Sequence, residues 1–347
     1  MSAGDGSGQL GLFAPGELAE KPAAERRRGG ARPVAAVEPS DEQRAIASGL
    51  PPGLHLGTSS WSFPGWRGIV WAGAESQQRL ARHGLAAYAS HPLLTGVGLD
   101  RTYYQPIAAA EYAAYAAEVP ATFRFVVKAH EATTVSRWPE HERYGARRGS
   151  DNPLFLDATY AAEEVVRPFA EGLGEKAGPL VFQFAPQDLG TAERFADDLH
   201  RFLSALPAGP LYAVELRNRE ALTPRYVEAL SDAGAVHCVN RHPRMTAVDL
   251  QARAAGAFDA AAFVCRWMLR PGLTYQGGYR RYHPFDRLVD EDLPTRRTLA
   301  MLAVEMSAAG KPVFITANNK AEGCAPLTVF RLAGEIARRA GGGVDAG

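Results

Sequence analysis

Residues 179–218 read PLVFQFAPQDLGTAERFADDLHRFLSALPAGPLYAVELRN. Two short apolar, β-prone runs, 179–184 and 210–216, flank an amphipathic stretch at 191–206. Thr191 stands at the start of that stretch with Glu193 two residues on, which is a helix-start signal. Strand, helix and strand follow one another with short connections. Such a unit implies two parallel strands joined by a helix packed on the sheet.

The same alternation extends outward in both directions. Further strands are predicted at 54–59, 95–101, 123–128, 235–240, 262–266 and 312–318. Further helices are predicted at 75–90, 106–118, 160–174, 223–233, 247–258, 291–309 and 325–340, with Thr223-Pro224 opening one of them. Eight β–α units in roughly 290 residues match a (β/α)8 TIM barrel with modest insertions. A doubly wound open sheet would use fewer strands and place a glycine-rich phosphate turn after the first. GTSSWSFPG at 57–65 is not such a turn. The barrel is expected to fill 51–347, preceded by a disordered tail at 1–50 that is rich in Ala, Gly, Pro, Glu and Arg. Within that tail only 42–49 has the pattern of a short helix.

The chain has 347 residues, 46% hydrophobic and 22% charged, an ordinary globular composition. Lys plus Arg and Asp plus Glu both number 38, which argues against non-specific nucleic-acid binding by the whole surface. No apolar run reaches membrane-span length, and the N-terminus lacks a signal-peptide pattern. Cys238, Cys265 and Cys324 are too scattered for a disulfide framework and have no CxxC spacing, so a reducing, cytoplasmic setting and no cysteine-zinc site are expected.

GTSSWSFPGWRG at 57–68 resembles the opening signature of the domain of unknown function 72 family, also called YecE-like. LDRTYYQP (99–106), FRFVVKA (123–129), LVFQFAP (180–186), AVELRN (213–218) and FITANNKAEGCAP (314–326) resemble later family segments, in order. The resemblance spans about 54–335 and implies a TIM-barrel fold. It implies no activity, since none is established for the family. The chain departs from the family pattern at several points. Gly98 stands where Glu is usual and Asp100 where Asn is usual. Ala221 lies near a usual Trp, RWML (266–269) replaces Arg-x-His-Gly, and 130–178 is longer than usual.

In a (β/α)8 barrel the site lies at the C-terminal ends of the strands. Those ends carry Asp100, Lys128, Gln183, Glu215, Arg217, Arg266, Asn318 and Asn319. Glu215 and Arg217 are two apart and share one face of a strand. Buried charges need partners, so Glu215, Arg217 and Lys128 are expected to converge. One reading makes Glu215 a general acid or base tuned by Lys128, with Asp100 beside them; the other is an ion-pair network closing the barrel top. Asp100 and Glu215 are a poor fit to a retaining glycosidase pair. Adding His130, His242 and His283 gives a weak metal-ligand set, and no metal or other cofactor is assigned. Lys128 could form an imine if its pKa were depressed, though a neighbouring carboxylate would raise it.

The segments expected at the C-terminal face hold 17 Lys and Arg against 10 Asp and Glu in a chain of zero net charge. Such a face attracts anions. RPGLTYQGGYRRYHPF at 270–285 interleaves aromatic and basic residues, so Arg280 and Arg281 join Arg217 and Arg266 as candidate anion ligands. Trp61 and Trp66, in the loop after the first strand, are candidate ligand walls, and Asn318 and Asn319 candidate orienting groups. The leading expectation is a barrel that binds an anionic phosphate-bearing or nucleotide ligand, with or without turning it over. The alternative is a non-catalytic nucleic-acid or protein-binding module. Residues 9–13, QLGLF, resemble the short peptide by which bacterial partners dock on the replicative sliding clamp. Gln9 would make polar contacts and Leu10, Leu12 and Phe13 apolar ones, which would place the barrel in a replication or repair setting.

Overall fold

In the computed structural model, which describes residues 32–342, eight parallel strands close into a barrel in chain order. They are β1 Leu54–Thr58, β2 Gly96–Leu99, β3 Arg124–Lys128, β4 Ala177–Phe184, β5 Tyr212–Leu216, β6 Val236–Arg241, β7 Phe263–Trp267 and β8 Val313–Ala317. The ring closes through five aligned pairs between β1 and β8, from Leu54 with Val313 to Thr58 with Ala317.

The α-helices in chain order are α1 Asp41–Ser48, α2 Gln77–His83, α3 Leu85–Ala89, α4 Ala109–Ala117, α5 Ala158–Tyr160, α6 Arg167–Leu173, α7 Ala192–Ser204, α8 Pro224–Asp232, α9 Val248–Ala254, α10 Tyr275–Tyr282, α11 Leu293–Ala308, α12 Asn319–Glu322 and α13 Ala325–Gly341. Thr191 caps α7 by accepting from the Arg194 N–H, and Thr223 caps α8 by accepting from the Tyr226 N–H. Predicted helix 75–90 divides at Gly84, and 160–174 contains a π-turn at Ala161–Val166. Helix α10 lies inside the segment that the sequence presents as a loop after β7.

Strand alternation divides the core in two. Outward residues such as Leu56, Val97, Val127, Phe182, Val214 and Ile315 pack in the main cluster under the helices. Inward residues Val126, Val181, Ala213, Val236, Cys238, Val264 and Phe314 form a separate apolar cluster inside the barrel. Two residues further along β3, β4, β5 and β7 come Lys128, Gln183, Glu215 and Arg266. All four are buried. The period of two therefore stacks a charged layer directly above an apolar one.

Residues 32–50 correct the expectation of a disordered tail over that stretch. Val34 is buried, Ala36 bridges to Trp71, and the Val37 N–H donates to the Val70 carbonyl. Ser40 and Gln43 form a reciprocal capping box on α1. Gln9, Leu10, Leu12 and Phe13 lie outside the described residues. Among the described residues no helix is long and apolar enough to cross a membrane. At Gly98 a Cβ would lie 2.9 Å from the Ser59 Cα. The absent side chain therefore lets the end of β1 lie tight against β2.

Candidate functional site at the barrel mouth

The charged layer is built around Arg266. Its Nη2 donates to both oxygens of Asp100, at 2.7 and 2.6 Å, and its Nη1 donates to Glu215 Oε2 at 2.7 Å. Arg217 pairs with the other Glu215 oxygen. Nη1 of Arg266 also lies 3.4 Å from Gln183 Oε1. Two guanidiniums thus balance two carboxylates with bonds from several directions, which buried charges require.

Burial pushes the Glu215 carboxyl upward, but the Arg217 and Arg266 guanidiniums outweigh it and hold its pKa at about 2. A carboxylate fixed so firmly does not exchange protons near neutral pH. Lys128, its neighbour in the layer, is in a different electrostatic state. Lys128 is 2% exposed. Among the described residues no carboxylate forms an ion pair with its ammonium, whose Nζ lies 3.5 Å from the Tyr103 ring centroid. Burial lowers its pKa to about 7; Asp100 and Glu215 raise it only in part, because Arg266 and Arg217 oppose them. The carboxylates raise it as expected, but burial has the larger effect and the guanidiniums offset part of their pull.

This lowering has a stability consequence. The folded pKa of about 7 is below the unfolded value of 10.5, so between these limits the unfolded chain binds more protons. Stability must then rise with pH across that window, and the cost of Lys128 is full below pH 7. Lys128→Met is expected to raise the melting temperature at pH 7, with the gain shrinking toward pH 10. A gain independent of pH would contradict this origin.

Above the charged layer opens a cavity of about 410 Å³. Its floor includes Asp100, Lys128, Arg217 and Arg266, and one wall holds Tyr275, Asn318 and Lys320. The opposite wall comes from the long segment after β3, with Glu131, Val135, Arg137, Pro139, Arg143 and Tyr144. That segment has its own small core of Ala132, Val135, Trp138 and Tyr144. Glu131 is clamped by Arg143 and accepts from the Tyr144 hydroxyl at 3.0 Å. Burial raises its pKa, against the pull of Arg143.

Lys320 is 4% exposed and follows β8 on the short helix α12. Its Nζ lies 4.0 Å from the Tyr275 ring centroid and 3.5 Å from Asn318 Oδ1. Burial lowers its pKa to about 8, opposed by Asp100. Helix α10 packs closely on its stem: a Cβ at Gly278 would lie 3.4 Å from the Lys320 Cβ and Cγ.

The structure thus brings Asp100, Lys128, Arg217, Arg266 and Asn318 to one cavity, with Glu215 and Gln183 in the layer around its floor. Five other candidates, Trp61, Trp66, Asn319, Arg280 and Arg281, do not line this cavity, which corrects the expected ligand wall. Trp61 is buried, donates to the Leu80 carbonyl at 3.1 Å and packs edge-on to Tyr115. Trp66 is fully buried against Phe63, Trp71 and Tyr88. Gly65 beside it touches the Pro284 carbonyl so closely that a Cβ would lie 1.8 Å from that oxygen. The tryptophan-rich loop is therefore a clamp. Asn319 belongs to the same clamp: its Oδ1 accepts from Trp66 Nε1 at 3.1 Å and from the Ala325 N–H at 2.8 Å. This fixes α12 and, with it, Asn318 and Lys320. Arg281 pairs with Asp290 on the outer side of α10, and neither it nor Arg280 lines the cavity. Helical periodicity turns them away from the face that carries Tyr275.

Of the histidines of the weak metal set, His242 lines the cavity. His130 Nδ1 bonds the Tyr160 hydroxyl at 2.7 Å, and burial and Arg217 lower the pKa of His242 to about 3. Among the described residues no group of three His, Cys, Asp or Glu is placed to hold a metal.

The family model described as Protein of unknown function DUF72 matches residues 55–343. The chain belongs to this family. A crystal structure of a DUF72 family protein from Enterococcus faecalis V583 is similar, with 17% identity and a TM-score of 0.57, over 82% of this chain and 95% of that one. Another DUF72 family protein, from Thermotoga maritima MSB8, has 19% identity and a TM-score of 0.55, over 80% and 97% of the two chains. These likenesses show the shared fold. The comparison with curated proteins gave no match.

Proposed function

We propose that the barrel mouth binds a small anionic ligand, phosphate-bearing or nucleotide, and acts on it with Lys128 as the proton-transferring group. The observation that carries this reading is the charge of the cavity lining. Lys128, Lys320, Arg137, Arg143, Arg217, Arg244 and Arg266 line it, against Asp100 and Glu131. The two carboxylates are already engaged by Arg266 and Arg143. Among the described residues Lys320 has no ion-pair partner and the buried Nε of Arg217 has no hydrogen-bond partner. An anion would satisfy both, in a place where low dielectric strengthens the attraction. Asn318 and Lys320 follow β8 and Tyr275 follows β7, which is where this fold commonly receives phosphate.

A thermal-shift screen of phosphorylated metabolites and nucleotides against neutral sugars tests the reading. Ligands that bind the folded state raise its melting temperature with concentration. Stabilisation by phosphate-bearing members, weakened by salt, is expected, and a hit should then be consumed on incubation. Stabilisation by neutral sugars alone would overturn the anionic reading. Saturable binding without product would reduce the barrel to a binding module.

A further inference from the structure

Lysine is scarce in this protein: 5 of its 38 basic residues, at 21, 128, 176, 311 and 320, with arginine at the rest. Two of those five line one cavity and are almost wholly buried. If only positive charge were needed there, arginine would serve, being more weakly hydrated and always protonated. A lysine differs in offering a primary amine whose lone pair becomes available on deprotonation.

We propose that Lys128 is a nucleophile that forms an imine with the carbonyl group of a small anionic aldehyde or ketone, deepening the anion-binding reading on which it rests. The geometry favours Lys128 over Lys320. Lys128 sits at the end of β3 on the cavity floor, and among the described residues its Nζ has a ring face beside it and no ion-pair partner. Lys320 Nζ is in reach of Asn318 Oδ1 and sits on the wall, where it suits the ligand's anionic end. The charged groups acting on Lys128 are Asp100 from the end of β2, Glu215 and Arg217 from β5, and Arg266 from β7; Glu131 follows it on its own segment. Their charges nearly cancel, and burial then frees the amine near neutral pH.

The step balances without any outside oxidant or reductant. The neutral Nζ attacks the carbonyl carbon, the C–N bond forms and the C=O pair moves onto oxygen. A proton passes from nitrogen to that oxygen, giving a carbinolamine. Protonation of the hydroxyl and loss of the second nitrogen proton then break the C–O bond. The product is an imine, and the oxygen leaves with both amine protons as water.

Pyridoxal 5′-phosphate is a suitable probe because it carries an aldehyde and a phosphate; pyridoxal carries only the aldehyde. The full-length protein is incubated with each at pH 7, reduced with borohydride, and mapped by peptide mass spectrometry over its five lysines. Lys128 is expected to take pyridoxal 5′-phosphate at least tenfold faster than Lys176 and Lys311. Its rate should rise through pH 7 and fall when inorganic phosphate competes. Pyridoxal should label it at least tenfold more slowly. Equal labelling of Lys128 by both probes, unaffected by phosphate, would support the amine and overturn the anionic reading. Phosphate-sensitive protection with Lys128 unmodified would keep the anionic reading and overturn the imine. Labelling of Lys320 alone, or only of lysines outside the cavity, would overturn it as well. All readouts use the wild-type chain, so no variant has to fold.

Discussion

Replacing Arg266 with methionine is expected to destabilise the protein by about 3–5 kcal/mol, the usual cost of breaking a buried ion pair by removing one partner. Arg266 is the hub of the charged layer, with bonds to both Asp100 oxygens and to one of Glu215. Methionine leaves Asp100 without its guanidinium and Glu215 with Arg217 alone. A domain has only about 5–15 kcal/mol of stability, so the loss is a large share of the total. Chemical denaturation of wild type and Arg266→Met measures it. Adding Asp100→Asn to the Arg266→Met variant should recover much of the loss, because the pair is then removed as a pair. Equal stability of Arg266→Met and wild type would show that the layer is not an interdependent unit. The same network gives a pH signature. Glu215 has a folded pKa of about 2, below its unfolded value of 4.5. Its contribution is fully present above pH 4.5 and is lost as pH falls toward 2.

The second large effect belongs to Lys320. Lys320→Met is expected to weaken binding of a phosphate-bearing ligand roughly ten- to a hundredfold, about 1.5–3 kcal/mol for a charged hydrogen bond. Stability should not fall, because its depressed pKa shows that the fold holds its charge at a cost. Methionine keeps the length of the stem that packs on Gly278. Isothermal titration with a ligand from the screen, on wild type and variant, reads the change. Unaltered affinity would place the anion elsewhere in the cavity.

The barrel was legible because its signal is periodic. Each strand prediction overlaps an observed strand, and the charged strand ends follow from alternation alone. The site was legible only in part. Strand spacing makes Glu215 and Lys128 neighbours, but which one titrates depends on how many guanidiniums reach each, and strand spacing does not carry that. Trp61 and Trp66 lie in an irregular segment, and an aromatic there can wall a cavity or clamp a loop. The partners that decide between these, Leu80 and Asn319, are remote in sequence from the tryptophans. Lys320 gives no signal of its own in the sequence, where the paired Asn318 and Asn319 precede it. Tyr275 lies in a stretch that reads as a loop because Gly277 and Gly278 mask the helix that presents it; Gly278 allows the close approach of α10 to Lys320. Glu131, Arg143 and Tyr144 come from a long insertion with little period of its own.

The central claim is that the cavity above the charged layer receives an anion. Crystals of the wild-type protein soaked in tungstate, an electron-dense tetrahedral oxyanion, test it most directly. The expected result is a strong anomalous peak inside the cavity, within hydrogen-bond reach of Lys320 or Arg217 and competed away by phosphate. Tungstate bound only at outer arginines, with the cavity holding none at saturating concentration, would contradict it.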